Sequence, residues 1–369
     1  MAGIYLHIPF CKQACHYCNF HFVTSLRRKN ELLAALLKET QLRKEYLGKE
    51  PVETIYFGGG TPSMLTNLEI AAQLANIKSS FNVSETAEIT LETNPDDINE
   101  EKLAGWQSAG INRLSIGVQS FFDKDLRWMN RAHTAGQAKT SLEFAVKYFD
   151  NITIDLIYGT PLLTNEEWQQ NVDTAIELNI PHLSCYALTV EQKTPLQKLI
   201  NEGKTQDVNP DKQTKQFLLL MYWLEKAGYE HYEISNFAKP GFRSRHNSSY
   251  WQGKNYLGLG PSAHSFNGHT RQWNVSNNTV YIDSLAKEII PFEKEELTST
   301  QKINEYIMIS LRTMEGLDLE KLDDSSRQSI KEAGKKYVES NLMRLEHNSL
   351  ILTKEGKLLA DGIAADLFF

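Results

Sequence analysis

Residues 4–20 read IYLHIPFCKQACHYCNF, a strand-like run that ends in three cysteines within eight positions. The run is rich in the β-branched and aromatic residues that strands favour. The loop after it carries C-x3-C-x2-C at Cys11, Cys15 and Cys18. Polar chemistry just past the carboxyl end of a strand is the arrangement by which α/β sheets and barrels build their sites. The rest of the chain repeats it.

Similar runs follow at ETIYFGGG from 53, EITLETNP from 88, RLSIGVQS from 113, ITIDLIYG from 152 and HLSCYALTV from 182. Helical patterns lie between them, for example ELLAALLKETQLRKEYLG from 31 and AGQAKTSLEFAVKYF from 135. Most spacings fall near the roughly 30 residues of a βαβ unit. Six such units with near-continuous apolar strands predict a parallel sheet covered by helices. Six strands are two short of a closed eight-stranded barrel, so the predicted fold class is α/β, an open partial (β/α)6 TIM-like barrel with a lateral mouth. This unit is predicted over 1–235. Residues 236–298 contain NFAKPGFRSRHNSSYWQGKNYLGLGPSAHSFNG, with seven glycines or prolines, and are predicted as a glycine-rich connector covering the mouth. Residues 299–369 are predicted as a small winged-helix-like α+β domain: a helix at QKINEYIMISLRTM, another at SIKEAGKKYVESNLM, and a hairpin at SLILTKEGKLLAD.

Of 369 residues, 39 are basic and 46 acidic, a formal net charge of −7, which argues against a phosphate backbone as ligand. The C-terminal segment from 300 has ten basic against twelve acidic side chains, so duplex binding is not expected there either. The densest apolar run, FLLLMYWL at 217–224, has core length and predicts no membrane span. The N-terminus lacks the basic and apolar regions of an export signal, so a cytoplasmic location is expected. Cys185 lies 167 positions beyond Cys18 in an alternating strand and reads as a small buried hydrophobe.

Three closely spaced thiols on a strand-end loop can wrap one metal centre. A cubane iron–sulfur cluster has four irons, so three cysteines leave one iron open to a substrate. The competing reading is a structural zinc with His7, His16 or His21 as fourth ligand; a disulfide would close very small loops in a reducing compartment. In YFGGGTPS, bare backbone at the strand end lets a ligand approach, or simply makes a tight turn. Glu92, Gln119, Arg131 and Asp155 place two carboxylates, an amide and a guanidinium at one end of the sheet. An amino acid attached to a ribose needs such groups: a guanidinium fork for its carboxylate, and acceptors for its ammonium and hydroxyls.

These motifs resemble the radical S-adenosylmethionine (SAM) enzymes. YLHIPFC, GVQSF, MNRAH, IDLIYGTP, EISNFA and HNSSYW further resemble the oxygen-independent coproporphyrinogen III oxidase-like group within them. The resemblance implies that Cys11, Cys15 and Cys18 hold a [4Fe-4S] cluster whose open iron chelates SAM. It implies Tyr5 near the cluster, Gly59, Gly60 and Thr61 at the methionine end, and Glu92, Gln119, Arg131, Asp155 and Ala187 along the SAM pocket. His264 matches a pocket position that need not be histidine.

The chain departs from the group's true dehydrogenases in two ways. Phe20 stands where they carry a fourth cysteine, and their N-terminal extension has no counterpart here. It carries instead H-N-x-x-Y-W at His246, Asn247, Tyr250 and Trp251. That combination is similar to the group's heme chaperones, which implies heme as a bound molecule, the motif as its site, and an apo-cytochrome or other respiratory-chain protein as recipient. Any membrane association would run through that partner. The alternatives are a coproporphyrinogen III dehydrogenase that converts two propionates to vinyls, and a structural zinc protein with an interaction domain.

Overall fold

The computed structural model describes residues 2–369. Its first six strands are β1 (Ala2–Ile8), β2 (Val52–Gly59), β3 (Val83–Thr93), β4 (Arg113–Gln119), β5 (Ile152–Tyr158) and β6 (His182–Ala187). They pair in sequence order, all parallel, as the core of one sheet. Helices cross back between them, and several begin with a threonine whose side chain and a Glu or Gln three residues later cap each other. The pairs are Thr66/Glu69, Thr134/Gln137 and Thr164/Glu167.

The strands are not uniformly apolar. They alternate, and each face has its own job. Ile4, Leu6, Ile8, Ile55, Phe57, Leu91, Leu114, Ile116, Ile154, Leu156 and Leu183 point outward and merge with Leu32, Leu36, Ile70, Leu74, Trp106 and Leu142 of the helices in one core. Each such fully buried aliphatic side chain contributes about 1.5–3 kcal/mol. Cys185 belongs to this core as a buried free thiol. The inner face carries Tyr5, His7, Thr54, Tyr56, Glu88, Glu92, Ser115 and Asp155, so the barrel lumen is polar.

The sheet extends past both ends of the parallel set. Beyond β6 come the antiparallel β8 (Asn236–Ala238) and then β7 (Glu230–Glu233). Beyond β1 come β9 (Asn255–Leu259), parallel to it, and antiparallel β10 (His264–Phe266), β11 (Thr270–Asn274) and β12 (Phe292–Glu296). The 236–298 stretch therefore does more than connect. Its glycines mark strand turns and close approaches: Gly260 has φ +103°, and a Cβ at Gly258 would stand 2.1 Å from the His264 carbonyl oxygen.

The helix Arg245–Trp251 packs on the amino-terminal halves of β1 and β2 and closes the lumen there. Its first backbone N–H groups, at Arg245 and His246, donate to the Glu88 carboxylate.

The C-terminal part has its own hydrophobic core, including Ile307, Leu311, Ile330, Met343, Leu350 and Ile363. Helices Ser299–Leu311 and Asp324–Glu339 pack on a three-stranded sheet of β13 (Leu317–Asp318), β14 (Met343–Glu346) and β15 (Ser349–Leu352), a winged-helix-like arrangement. The hairpin lies earlier than the sequence pattern predicted. His347 and Asn348 adopt φ of +47° and +62° and join β14 to β15 in a two-residue turn. The KLLAD segment that seemed a returning strand is helical instead, because Ala360, Ile363 and Ala364 reach the core at helical spacing.

Candidate functional site

At the carboxyl end of the parallel strands lies a cavity of about 510 Å³. Cys11, Cys15 and Cys18 line it, together with Gly59, Gly60, Thr61, Glu92, Gln119, Arg131, Asp155 and Ala187. The structure thus brings together eleven of the residues named from the sequence, Ala187 among them through the resemblance alone.

The cysteine loop is held at both flanks. Phe10 pairs with Val23, and the Cys11 N–H donates to the Val23 carbonyl at 3.0 Å. On the far side, the Asn130 side chain donates to the Ala14 carbonyl at 2.7 Å and accepts from Gln13, while the His16 N–H donates to the Met129 carbonyl. Asn130 sits at φ +58°, a conformation asparagine tolerates better than most residues. The stretch MNRAH therefore serves the loop as well as supplying Arg131.

Arg131 donates to the Cys15 sulfur at 3.3 Å, to Asn94 Oδ1 at 2.8 Å and to the Gly117 carbonyl at 2.8 Å; its buried Nε has no partner. Thr61 Oγ1 donates to the Cys11 sulfur at 3.6 Å and accepts from Asn94 Nδ2 at 3.2 Å. Asn94, Asn130 and Ser115 were not singled out from the sequence. Asn94 and Asn130 flank the marked motifs by one or two positions, which is the one signal that pointed to them.

Glu92 accepts from the Tyr56 hydroxyl at 2.9 Å and from the Gly59 N–H at 3.0 Å. Burial raises its carboxyl to about 7 despite these bonds. Asp155 is also raised to about 7, by burial first and then by the Glu92 charge. A cationic group entering between them would relieve both. Gln119 holds φ +68° at the end of β4, where the ladder to β5 shifts register, so its amide is turned out of the strand into the cavity.

Tyr5 lies one layer below, stacked on Tyr56 at 6.1 Å, with its hydroxyl on His7 Nδ1. A Cβ on Gly58 would meet Tyr5, Tyr56 and Glu92, so the strand end is bare where these rings pass. His264 does not join the cavity: it is exposed on β10 and stacks on Trp273 at 6.2 Å.

The heme-motif residues stand elsewhere and face different ways. His246 is buried, its ring stacked on Tyr56 at 4.9 Å. Its Nδ1 pairs with Thr54 Oγ1 at 2.8 Å and its Nε2 with the Tyr250 hydroxyl at 3.0 Å, so neither nitrogen is open to iron here. Asn247 donates its backbone N–H to Ser244. Trp251 faces the C-terminal part.

Three thiols on one loop are the donor set that a cubane cluster with one open iron would use. Among the described residues no three His, Cys, Asp or Glu side chains converge as one ion requires. His7, His16 and His21 bond to the His21 carbonyl, the Trp128 carbonyl and Asn278. Burial pushes the Cys11 thiol up to about 11, so a cluster binding there would displace protons.

Residues 5–175 match the family model of the radical SAM superfamily. The chain is 33% identical to the heme chaperone HemW of Mycobacterium tuberculosis over 371 residues, covering 99% of this chain and 94% of that one. It is 34% identical to HemW of Bacillus subtilis, covering 98% of each. This chain belongs to the HemN-like radical SAM family, close to HemW. The solved structure of coproporphyrinogen III oxidase (HemN) from Escherichia coli shares the fold, with a TM-score of 0.86 at 24% identity, covering 100% of this chain and 90% of that one. Radical SAM membership implies a [4Fe-4S] cluster and SAM. No helix among the described residues is long and apolar enough to cross a membrane.

Proposed function

We propose that this chain is a heme chaperone: it binds heme and hands it to a respiratory cytochrome, while retaining a [4Fe-4S]/SAM site. The observation that carries this reading is its likeness, from end to end and at about one third identity, to proteins named heme chaperone. Phe20 supports it, standing 68% exposed at the cavity lip in place of a fourth cysteine.

Cys11, Cys15 and Cys18 would hold the cluster, with Thr61 and Arg131 donating to two of the sulfurs. When bound, the cluster and SAM would supply one-electron reductive chemistry at the sulfonium. Gly59, Gly60 and Thr61 would meet the methionine end. Glu92, Gln119 and Asp155 would receive the ammonium and the ribose, with Ala187 beside them and Tyr5 one layer below. Arg131 already serves Cys15, Asn94 and Gly117, so its part is to brace the loop and offer positive charge to a carboxylate. Around heme the motif His246, Asn247, Tyr250 and Trp251 is the candidate, and iron ligation by His246 would require its bonds to Thr54 and Tyr250 to open.

Anaerobically reconstituted protein tests the reading. Heme should give a saturable Soret change, and coproporphyrinogen III with SAM and reductant should give no protoporphyrinogen. Turnover of that substrate would establish the dehydrogenase instead.

A further inference from the structure

Two of the three thiols at the cavity have a side-chain donor, and one residue stands between those donors. Thr61 Oγ1 reaches the Cys11 sulfur at 3.6 Å, and Arg131 Nη1 reaches the Cys15 sulfur at 3.3 Å. Asn94, just past the end of β3, touches both. Its Nδ2 lies 3.2 Å from Thr61 Oγ1 and its Oδ1 lies 2.8 Å from Arg131 Nη2.

The direction of each bond follows from the groups involved. A guanidinium only donates, so the amide oxygen of Asn94 must face Arg131 and the amide NH2 must face Thr61. Thr61 Oγ1 accepts that bond, which leaves its single proton for Cys11. One amide therefore sets both donors: it holds one arm of the guanidinium fork while the other arm points at Cys15, and it turns the threonine hydroxyl toward Cys11.

Asn94 is itself fixed in place. Its backbone N–H donates to Ser63 Oγ at 3.3 Å, and the buried Ser63 hydroxyl donates to Asp97 at 2.7 Å. Gly117 leaves room for the pair, because a Cβ there would stand 3.1 Å from Arg131 Nη2 and 3.5 Å from Asn94 Oδ1. The Gly117 carbonyl accepts from the same Arg131 nitrogen at 2.8 Å.

Hydrogen bonds to the sulfurs of an iron–sulfur cluster help set its reduction potential, since each donor offsets negative charge that grows on reduction. We propose that Asn94 is a positioning residue that tunes the potential of the cluster held by Cys11, Cys15 and Cys18, by fixing the Thr61 and Arg131 donors on two of its sulfurs. This rests on the [4Fe-4S] part of the proposed function and deepens it. Asn94→Asp breaks the arrangement selectively. A carboxylate accepts only, so it keeps Arg131, draws the Thr61 proton away from Cys11 and adds negative charge. Both of the latter effects disfavour the reduced cluster.

The full chain, reconstituted anaerobically, is poised at a series of solution potentials and the reduced cluster is measured by electron paramagnetic resonance, with iron and sulfide giving cluster content. At the parent's midpoint, Asn94→Asp should lower the ratio of reduced to oxidised cluster by about tenfold or more, which is about 59 mV for one electron. Iron and sulfide per chain should be unchanged. Thr61→Val should lower the ratio about threefold, and Thr61→Ser, which keeps the hydroxyl, should stay within about twofold of the parent. With Thr61→Val already present, Asn94→Asp should lower the ratio by no more than about threefold, because the proton it diverts is gone. A change below about twofold in Asn94→Asp, or the same tenfold drop on top of Thr61→Val, which charge alone would produce, overturns the positioning role and leaves the cluster reading intact. Should Asn94→Asp hold no cluster, Asn94→Leu, of similar size and without hydrogen-bonding groups, should lower the ratio about threefold, and a value within about twofold of the parent overturns the role. A parent protein that takes up no iron and sulfide overturns both.

Discussion

The two ends of the barrel lumen are built from the same kinds of residue and do opposite things. At the amino-terminal end Thr54, Glu88, Tyr250 and His246 bond to one another or to backbone, and a helix fills the space. At the carboxyl end Glu92, Asp155, Gln119, Arg131 and three thiols surround an open volume. A polar strand face therefore does not by itself mark a site. What distinguishes the working end is space left between the polar groups, a bare glycine edge and an arginine nitrogen without a partner.

The sharpest break in that comparison is Cys15→Ala, which should cost the open end its cluster, with iron and sulfide per chain falling at least tenfold, while the melting temperature of the apo-protein holds. The filled end should respond in the reverse sense. His246→Ala removes two buried hydrogen bonds and a ring stack, and should destabilise the chain by about 2–4 kcal/mol in a urea titration. Cluster content measured in native buffer should remain.

Glu92→Gln keeps the shape and removes the charge. A charge-assisted hydrogen bond is worth about 1.5–3 kcal/mol, so SAM affinity measured by calorimetry on the cluster-loaded protein should fall about 10- to 100-fold. In the parent, Glu92 and Asp155 are raised to about 7, so both are largely protonated at pH 6 and largely ionised at pH 8. A cationic ligand selects the ionised form. Affinity should therefore rise about tenfold from pH 6 to pH 8 for each carboxyl that must ionise, up to about 100-fold for the two, since it scales with the competent fraction, and the profile should become shallower in Glu92→Gln, where Asp155 alone is left to titrate. The same raised values mean that these two carboxyls lower the apo-protein's stability progressively as pH climbs from their ordinary values of 4.5 and 3.8 to about 7, and no further above it, because the unfolded chain gives up those protons first. Smallest of all, Phe20→Ser should shift stability by less than about 0.5 kcal/mol, because the ring is exposed.

Much of the open end could be read along the chain, because βα repetition delivers one strand end at a time and each ends in a recognisable group. Asn94 and Asn130 were not read, since their work is to bond to a loop or side chain far away in sequence. The packing of the filled end was not legible for the same reason. His246 and Thr54 are 192 positions apart, and nothing local shows that a loop histidine will be buried beneath two tyrosines. The stretch after residue 235 looked like connector because its strands are three to five residues long and broken by glycines. They become strands by pairing with an existing sheet edge.

The sequence by itself determined the parallel α/β core, the three-thiol loop and the family, because periodicity, spacing and motif are local properties of a chain. Tertiary structure alone decided which polar residues are spent and which remain available. That depends on whether a partner from elsewhere in the chain arrives to satisfy each buried donor, acceptor or charge, and such long-range pairing exists only once the chain has folded.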